Sequence, residues 1–286
     1  MDGIGGLMRR LLAILCLLTL AVSASADSRA LLLRHRGEIG GGEKETYGLH
    51  AWSWLDFRAL GTLYADSNAT TIASTEVRAI RDKAHGRIWR VNGDGASRPP
   101  TINDDGVIGH TTSSGYIRFN AAAPEPLWGG DDAAIQTSNL CIMVVARCAV
   151  TNYNVYQCVC GDTLSALSGR LFCGFTSEKL EGHYGSYRII NNTSLNVSTY
   201  TDGGIHLFCV TREWTEAAKG LFTISIDGTQ VASGTCRANA NTITPRIGTF
   251  SCGFLGGACC EALVFDCIPE NLAELTSTLK AKYGIN

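Results

Sequence analysis

The sequence is poor in charged residues, and neither sign dominates. Charged residues make up 17% of the 286 residues, and the formal net charge is -2. A protein that binds nucleic acid through its phosphates needs a clear excess of Lys and Arg, so this balance argues against nucleic acid as a partner. Hydrophobic residues make up 45%, which is typical of a globular chain rather than a disordered one.

The sequence also lacks the motifs of common catalytic and cofactor sites. It contains no G-x-S-x-G, no H-E-x-x-H and no glycine-rich nucleotide-binding pattern. Its six histidines are isolated, and none has the cysteine–histidine spacing of a zinc finger. These absences exclude the usual nucleophile elbow, the common zinc sites and the phosphate loops.

A long apolar run is found only near the start of the chain. Leu11–Val22 is apolar, follows Arg9 and Arg10, and precedes an A-x-A pattern that ends at Ala26. This arrangement predicts a secretory signal peptide over residues 1–26, with an uncleaved anchor as the alternative. The remaining chain would then have no membrane span and would be secreted, or displayed on a cell or virion surface.

The residues after the apolar run divide into a polar arm and one domain. Residues 27–47 are polar and charged and include Gly40–Gly42, which predicts a flexible N-terminal arm. Residues 48–286 contain many short apolar runs separated by Gly, Asn, Asp and Thr. That pattern predicts about a dozen antiparallel strands in a sandwich, without the helix alternation of a parallel sheet.

Two segments predict their local structure directly. In FTISIDGTQV, Phe222, Ile224 and Ile226 alternate with polar residues, and Asp227-Gly228 predicts a two-residue hairpin turn with positive φ at both positions.

At the end of the chain, apolar residues recur every three or four positions and predict a helix with one buried stripe. The members of this stripe are Ile268, Leu272, Leu275, Leu279 and Tyr283. Pro269 suits the first turn of such a helix and Gly284 the position just past its end.

Three blocks of sequence resemble the concanavalin A-like lectin/glucanase superfamily, in its laminin G-like jelly-roll branch of exported bacterial and phage structural proteins. The blocks are WLDFRALGTLYADSNATT with RDKAHGRIWRV and SRPPTI, then VTREW with FTISIDGTQV, and last CCEALVFDCIPENLAELTSTLKAKYGIN. The resemblance covers residues 50–286. It implies an all-β, two-sheet antiparallel jelly-roll sandwich with a short C-terminal helix, and a role in sugar binding or adhesion.

Glucanases of that superfamily carry E-x-D-x-x-E on one strand, and this chain does not. Its nearest carboxylates, Glu261 and Asp266, would face opposite ways on a strand, which favours a structural role for Glu261. We therefore predict a protein that is not an enzyme, while glycan cleavage by carboxylates outside this pattern stays open.

Ligand-contact candidates are aromatic and acidic residues in loop-like sequence. Trp128 lies in a Pro/Gly-rich loop, Asp131 and Asp132 follow it, and Tyr184 and Tyr187 lie near a possible strand end. Aromatic faces stack on sugar rings, and loop carboxylates bind calcium. Calcium held by Asp131 and Asp132 is one interpretation of that loop, and a solvated acidic loop is the other; no other cofactor is indicated.

The cysteines fall late in the chain. Of the 12, Cys16 lies in the apolar run, and the rest are Cys141, Cys148, Cys158, Cys160, Cys173, Cys209, Cys236, Cys252, Cys259, Cys260 and Cys267. Export favours disulfides, so we predict two to four among them, with the rest as buried thiols.

Spacing adds a prediction for two groups of cysteines. Cys158 and Cys160 should share a strand face, whereas the adjacent Cys259 and Cys260 should face opposite ways. Cys267, at the joint between strand and helix, is the member of its group that we expect to be cross-linked.

The function predicted at this stage is a secreted, non-catalytic, lectin-like module. Its partner would be a carbohydrate or a glycosylated surface. The alternative is a structural or adhesion protein of a virion or cell surface, in which the sandwich makes protein–protein contacts.

Overall fold

The computed structural model describes part of the chain. The described residues are 47–48, 50–66, 68–91, 101–102, 108–110, 117–118, 135–136, 139–149, 157–161, 171–176, 179–184, 187–216, 219–237, 242–243, 246–247, 249–250, 253–254 and 257–286. The predicted signal peptide lies outside them, as does the predicted arm apart from Tyr47.

The strands, in chain order, are β1 (Ser53–Asp56), β2 (Leu63–Tyr64), β3 (Ala79–Arg81), β4 (Ile88–Val91), β5 (Thr101–Ile102), β6 (Ile108–His110), β7 (Ile117–Arg118), β8 (Ile135–Gln136), β9 (Leu140–Ala149), β10 (Gln157–Gly161), β11 (Leu171–Thr176), β12 (Lys179–Tyr184), β13 (Tyr187–Asn192), β14 (Asp202–Glu216), β15 (Lys219–Ile226), β16 (Thr229–Arg237), β17 (Thr242–Ile243), β18 (Arg246–Ile247), β19 (Thr249–Phe250), β20 (Gly253–Phe254) and β21 (Gly257–Phe265). Two 3-10 turns lie at Leu60–Thr62 and Val197–Thr199, and helix α1 spans Leu272–Tyr283.

Most of these strands belong to two antiparallel sheets. The first sheet has the order β16-β15-β14-β9-β21-β6-β5, and β1 pairs with β21 beside β6. The second sheet has the order β13-β12-β11-β10-β18-β7-β4-β3-β2. The predicted all-β sandwich with a short C-terminal helix is confirmed.

The core lies between the two sheets and follows the alternation of side chains along each strand. On β15, Phe222, Ile224 and Ile226 are buried in this core, as their spacing predicts. The second sheet contributes Trp89 and Phe175 from its inner face. Burial of apolar surface on this scale is the main favourable contribution to folding.

The hairpin between β15 and β16 has the predicted turn. Asp227 has φ 55° and Gly228 has φ 83°, the left-handed values that a primed turn requires. The Asp227 carboxylate also accepts a hydrogen bond from the backbone N–H of Leu207 at 2.8 Å, which ties the turn to β14.

Helix α1 covers the outer face of the first sheet. Leu275 and Leu279 are buried against residues of β9, β14 and β21 in a second apolar cluster. The helix begins at Leu272, so Pro269 lies before it rather than in its first turn, and the N–H of Leu272 donates to the carbonyl of Pro269 at 3.1 Å. It ends as predicted, because Gly284 adopts the left-handed conformation and caps the last turn.

Among the described residues, no helix has both the length and the apolar character needed to cross a bilayer.

Candidate functional site

The residues predicted to contact ligand are only partly described. Trp128, Asp131 and Asp132 lie outside the described residues, so the calcium interpretation stays a prediction. Tyr184 and Tyr187 pair with each other where the β12–β13 hairpin turns. Their side chains lie outside the described part of the structure, so ligand contact at these two tyrosines stays a prediction.

Eight of the predicted cysteine candidates have described side chains. Seven are buried, namely Cys141, Cys160, Cys173, Cys209, Cys236, Cys259 and Cys260, while Cys267 is exposed. The sulfur atoms of Cys141 and Cys209 lie 3.9 Å apart, and this contact together with burial raises the pKa of the Cys141 thiol well above its usual value. The side chains of Cys148, Cys158 and Cys252 are outside the description, and the predicted disulfides stay a prediction.

Two bulges decide which cysteines share a face. On β10, Cys158 pairs with Gly174 but Cys160 pairs with Cys173, so Val159 is an extra residue. The prediction that Cys158 and Cys160 share a face is therefore wrong, because a bulge inserts one residue and reverses the alternation.

The second bulge lies on β21. Cys259 faces the core and Cys260 faces helix α1, as predicted. The register shifts between Cys259 and Glu261, so Cys260 is the extra residue and Glu261 also faces the helix. The strand ends at Phe265, before Cys267, so Cys267 does not share a strand face with Cys259.

Glu261 is fully buried at the centre of a polar cluster, the Glu261 cluster, formed with Tyr47, Trp54, Lys282 and Tyr283. Its Oε1 accepts from Tyr47 Oη at 2.5 Å and from Trp54 Nε1 at 2.6 Å. Its Oε2 accepts from Lys282 Nζ at 2.9 Å and from Tyr283 Oη at 2.8 Å. Burial, followed by the nearby Glu261 charge, raises the pKa of Tyr283 well above its usual value, so this phenol remains a donor.

A second carboxylate lies beside this cluster. Asp56 is the cross-strand partner of Glu261, and its Oδ2 lies 3.1 Å from Lys83 Nζ and 4.0 Å from Lys282 Nζ. Glycoside hydrolysis needs two carboxylates that flank a bound sugar. Here Glu261 is 0% exposed and both of its oxygens accept from protein donors, so the pair joins β1, β21 and α1.

A histidine–aspartate contact ties the β15–β16 turn to the neighbouring strand. Nδ1 of His206 lies 2.7 Å from the Asp227 carboxylate, and Nε2 lies 3.4 Å from that of Asp202. The hydrogen bond to Asp227 raises the pKa of His206. Both ring nitrogens are engaged with carboxylates, an arrangement that holds an imidazolium in place.

The outer face of the second sheet carries a different set of residues. Strand pairing brings nine positions into one line across the sheet, which we call the outer row: Tyr64, Ala79, Arg90, Arg118, Arg246, Gly161, Phe172, His183 and Arg188. The line one residue away contains Leu63, Ile80, Trp89, Cys160 and Cys173, all of which are buried between the sheets. Since successive residues of a strand lie on opposite faces, the outer row belongs to the face that points away from the core.

The described end of the outer row is held by packing and by an arginine. Tyr64, Ala79 and Ile88 are buried there in a small apolar cluster with Ala69. Nε of Arg81 donates to Tyr64 Oη at 3.0 Å, and the Arg81 guanidinium lies 5.5 Å from the centre of the Tyr64 ring. The side chain of Arg81 is exposed, so it adds a positive charge beside the row.

Sequence reasoning missed the outer row, although a signal existed. RIWRV, YIRF and PRIG each place an arginine among apolar residues of a short strand-like run. An arginine at such a position indicates a solvent-facing strand position. Only the pairing of β4, β7 and β18 shows that the three arginines are neighbours.

Within the described part of the chain, no group of three or more His, Cys, Asp or Glu side chains is arranged to hold a metal ion.

Comparison with known proteins shows a likeness in fold alone. No protein-family model matches the chain, and no curated protein matches it. Trypanosoma rangeli sialidase is similar with a TM-score of 0.55 and 10% identity, over 85% of this chain and 34% of that one. The same sialidase in complex with sialic acid is similar with a TM-score of 0.53 and 11% identity, over 85% of this chain and 34% of that one.

A carbohydrate-binding module is also among the similar structures. The CBM40 of Ruminococcus gnavus IT-sialidase, bound to α2,3-sialyllactose, has a TM-score of 0.40 and 13% identity over 60% of this chain and 95% of that one. The present chain spans about a third of the length of the trypanosomal sialidase, so the likeness concerns one part of that protein.

Proposed function

We propose that this chain is a non-catalytic carbohydrate-binding module of the concanavalin A-like, laminin G-like type, and that it acts outside the cell or on a surface. The likeness in fold to a sialidase that has been observed with sialic acid supports this proposal. The sequence resemblance to a superfamily rich in sugar-binding domains supports it too. Fold alone is weak support for a function, which belongs to the residues of a site.

The two outer faces of the sandwich differ in what covers them. On the first sheet, Leu275 and Leu279 of helix α1 are 2% and 1% exposed, and the Glu261 cluster joins the helix to the strands. That face is used for packing. The second sheet has the outer row, where charged, aromatic and glycine positions adjoin.

The observation that carries the proposal is the composition of the outer row. Protein sites for sugars combine an aromatic face with polar groups that fix orientation. Phe172 and His183 are direct cross-strand neighbours, and Gly161 separates Phe172 from Arg246. Register therefore makes an aromatic, a histidine and an arginine position near neighbours on this face.

A glycan array tests the proposal. The purified protein, with its free thiols counted, is applied to a broad array with and without a calcium chelator. We expect binding to a defined group of glycans. Loss of binding with chelator would support the predicted calcium at Asp131 and Asp132, whereas an array without any bound glycan would contradict the carbohydrate function and favour protein–protein adhesion.

A further inference from the structure

The chain contains four acceptor sequences for N-linked glycosylation, each of the pattern Asn-x-Ser/Thr. They begin at Asn68, Asn191, Asn192 and Asn196. An attached sugar is bulky and hydrophilic, so the asparagine and the hydroxyl residue of such a sequence both have to reach the surface. The predicted signal peptide over residues 1–26 would bring the chain to the compartment in which these sugars are added. The structure describes the side chains of Asn68, Asn192 and Asn196, and it separates them into two kinds.

The sequence Asn196-Val197-Ser198 lies where the 3-10 turn between β13 and β14 begins. Val197 is 3% exposed and packs in the core between the sheets, while Asn196 and Ser198 on either side of it are exposed. Ser198 Oγ donates a hydrogen bond to Asn196 Oδ1 at 2.7 Å. Because this bond uses the amide oxygen, it does not occupy Nδ2, the atom to which a sugar is attached. Burial of the middle residue therefore holds the two residues of the acceptor sequence at the surface.

The sequence Asn68-Ala69-Thr70 has the same arrangement in the turn after β2. Ala69 is 8% exposed and packs with Tyr64 in the small apolar cluster, whereas Asn68 and Thr70 are exposed. The Asp66 carboxylate accepts from the backbone N–H of Asn68 at 2.9 Å and from that of Thr70 at 3.1 Å. The turn is thus held through backbone groups of the acceptor sequence and through its buried middle residue.

Asn192 shows the opposite arrangement. It is half-buried at the end of β13, and its Nδ2 donates to the carbonyl of Val231 on β16 at 2.9 Å. Its Oδ1 accepts from the backbone N–H of Ser194 at 3.0 Å and from that of Leu195 at 3.2 Å. A sugar on this nitrogen would lie at the contact between β13 and β16. Whether the sugar is added before or after folding, the folded chain would have to distort these bonds to accommodate it.

We propose that Asn68 and Asn196 carry N-linked glycans when the chain passes through a glycosylating secretory pathway, and that Asn192 does not. The donor is an oligosaccharide joined to a lipid through a diphosphate. A bond forms between Nδ2 of the asparagine and C1 of the first sugar, and the bond between C1 and the diphosphate oxygen breaks. The amide loses one proton, and the lipid diphosphate leaves. This modification goes beyond the proposed function, since it concerns sugars attached to the chain rather than sugars that it binds.

The experiment expresses the full chain, with its own residues 1–26, in cultured eukaryotic cells and collects the secreted protein. An N-glycosidase acting in oxygen-18 water leaves a labelled aspartate at each modified asparagine, which peptide mass spectrometry locates, and a sample without the enzyme controls for spontaneous deamidation. We expect the label at Asn68 and Asn196 and not at Asn192. An unlabelled Asn68 or Asn196, a labelled Asn192, or a chain that is not exported would each overturn the inference.

Variants at one site show whether the sugar depends on its own acceptor sequence. Asn196→Gln should remove one step of the gel shift that the enzyme causes. Ser198→Ala should remove the same step although it keeps the asparagine, whereas Ser198→Thr should retain it because the hydroxyl remains. Asn271→Gln is the matched control, since Asn271 is exposed but is followed two residues later by Ala273. A full shift in Asn196→Gln, or a reduced shift in Asn271→Gln, would contradict the assignment.

The other site offers the same pair of variants. Asn68→Gln and Thr70→Ala should each remove the second step of the shift. Removal of the hydroxyl leaves the asparagine and the backbone bonds to Asp66 in place, so Thr70→Ala tests the site even if circular dichroism shows that Asn68→Gln does not fold. An exported variant that lacks the hydroxyl and still carries the sugar would overturn the inference.

Discussion

Replacing Glu261 by Gln tests whether the Glu261 cluster holds helix α1 to the sandwich. The substitution keeps the shape of the side chain but removes its charge. A glutamine has one oxygen, which can still accept from Tyr47 and Trp54, and its amino group then faces the Lys282 ammonium, which can only donate, and the Tyr283 hydroxyl, which has to turn to accept. Two charge-assisted hydrogen bonds are lost in a fully buried place.

The expected cost follows from these contacts. Hydrogen bonds to charged groups contribute about 1.5–3 kcal/mol each, so two of them give a range of about 3–6 kcal/mol. The side chain of Lys282 is 23% exposed, so its ammonium can turn toward water and recover part of that loss. We therefore expect the free energy of unfolding to fall by about 3 kcal/mol, at the lower end of the range for removing one partner of a buried ion pair.

Thermal and urea unfolding followed by circular dichroism measure this change. For a domain of this size, about 3 kcal/mol corresponds to a decrease in Tm of roughly 6–12 °C. A double-mutant cycle with Lys282→Met should show coupling of about 1 kcal/mol or more, because the two residues are in direct contact at 2.9 Å. The control is Asp266→Asn, which changes an exposed carboxylate just past the same strand.

The reasoning would be refuted by a change in unfolding free energy below about 0.5 kcal/mol for Glu261→Gln, which is the range of ordinary surface substitutions. If the two substitutions changed the unfolding free energy additively in the double-mutant cycle, the contact between Lys282 and Glu261 would contribute nothing to stability. If Asp266→Asn lowered the unfolding free energy by the same amount, the effect would come from the change in net charge rather than from the Glu261 cluster.

Three further predictions concern stability. Because the pKa of His206 is raised above its ordinary value of 6.5, the stabilisation by its contact with Asp227 is fully present below pH 6.5 and is lost as the pH rises through the higher, folded-state value. Tm should therefore decrease less between pH 6 and pH 9 in His206→Asn than in the parent. The same pH profile of Tm in the variant and the parent would contradict this prediction. Gly182→Ala should lower the free energy of unfolding in urea by about 1–3 kcal/mol, because a Cβ there would lie 2.8 Å from Phe222 and 3.2 Å from Ile190. An unchanged free energy of unfolding would mean that these side chains repack at little cost. Without ligand at low salt, Arg118→Gln should raise the stability by about 0.2–1 kcal/mol, since it removes like-charge cross-strand pairs; the gain should fade at high salt, and a loss of stability would show that the row is not self-repulsive.

Local features of the fold were predictable from the sequence. The alternation of Phe222, Ile224 and Ile226 depends only on the two-residue period of a strand, and the Asp227-Gly228 turn depends only on backbone conformations available to those residues. The helix stripe and its Gly284 cap are local in the same way.

The bulges were not predictable, because a bulge is a property of two paired strands. The sequence of β10 does not show that Val159 is unpaired; the mismatch with β11 does. The bulge on β21 likewise turns Glu261 toward the helix, where it meets Tyr47, which is 214 residues away in the sequence. For the same reason, Glu261 could be interpreted from the sequence as structural, but its partners could not be named.

By itself the sequence determined that this chain forms an all-β sandwich closed by a helix, since strand period, turn chemistry and helix capping act over a few residues. Only the tertiary structure decided that Arg90, Arg118 and Arg246 are neighbours, because their strands are short, come from distant parts of the chain and meet only through cross-strand pairing. The candidate binding surface is therefore a property of register, which packing of the opposite, apolar face against the core determines.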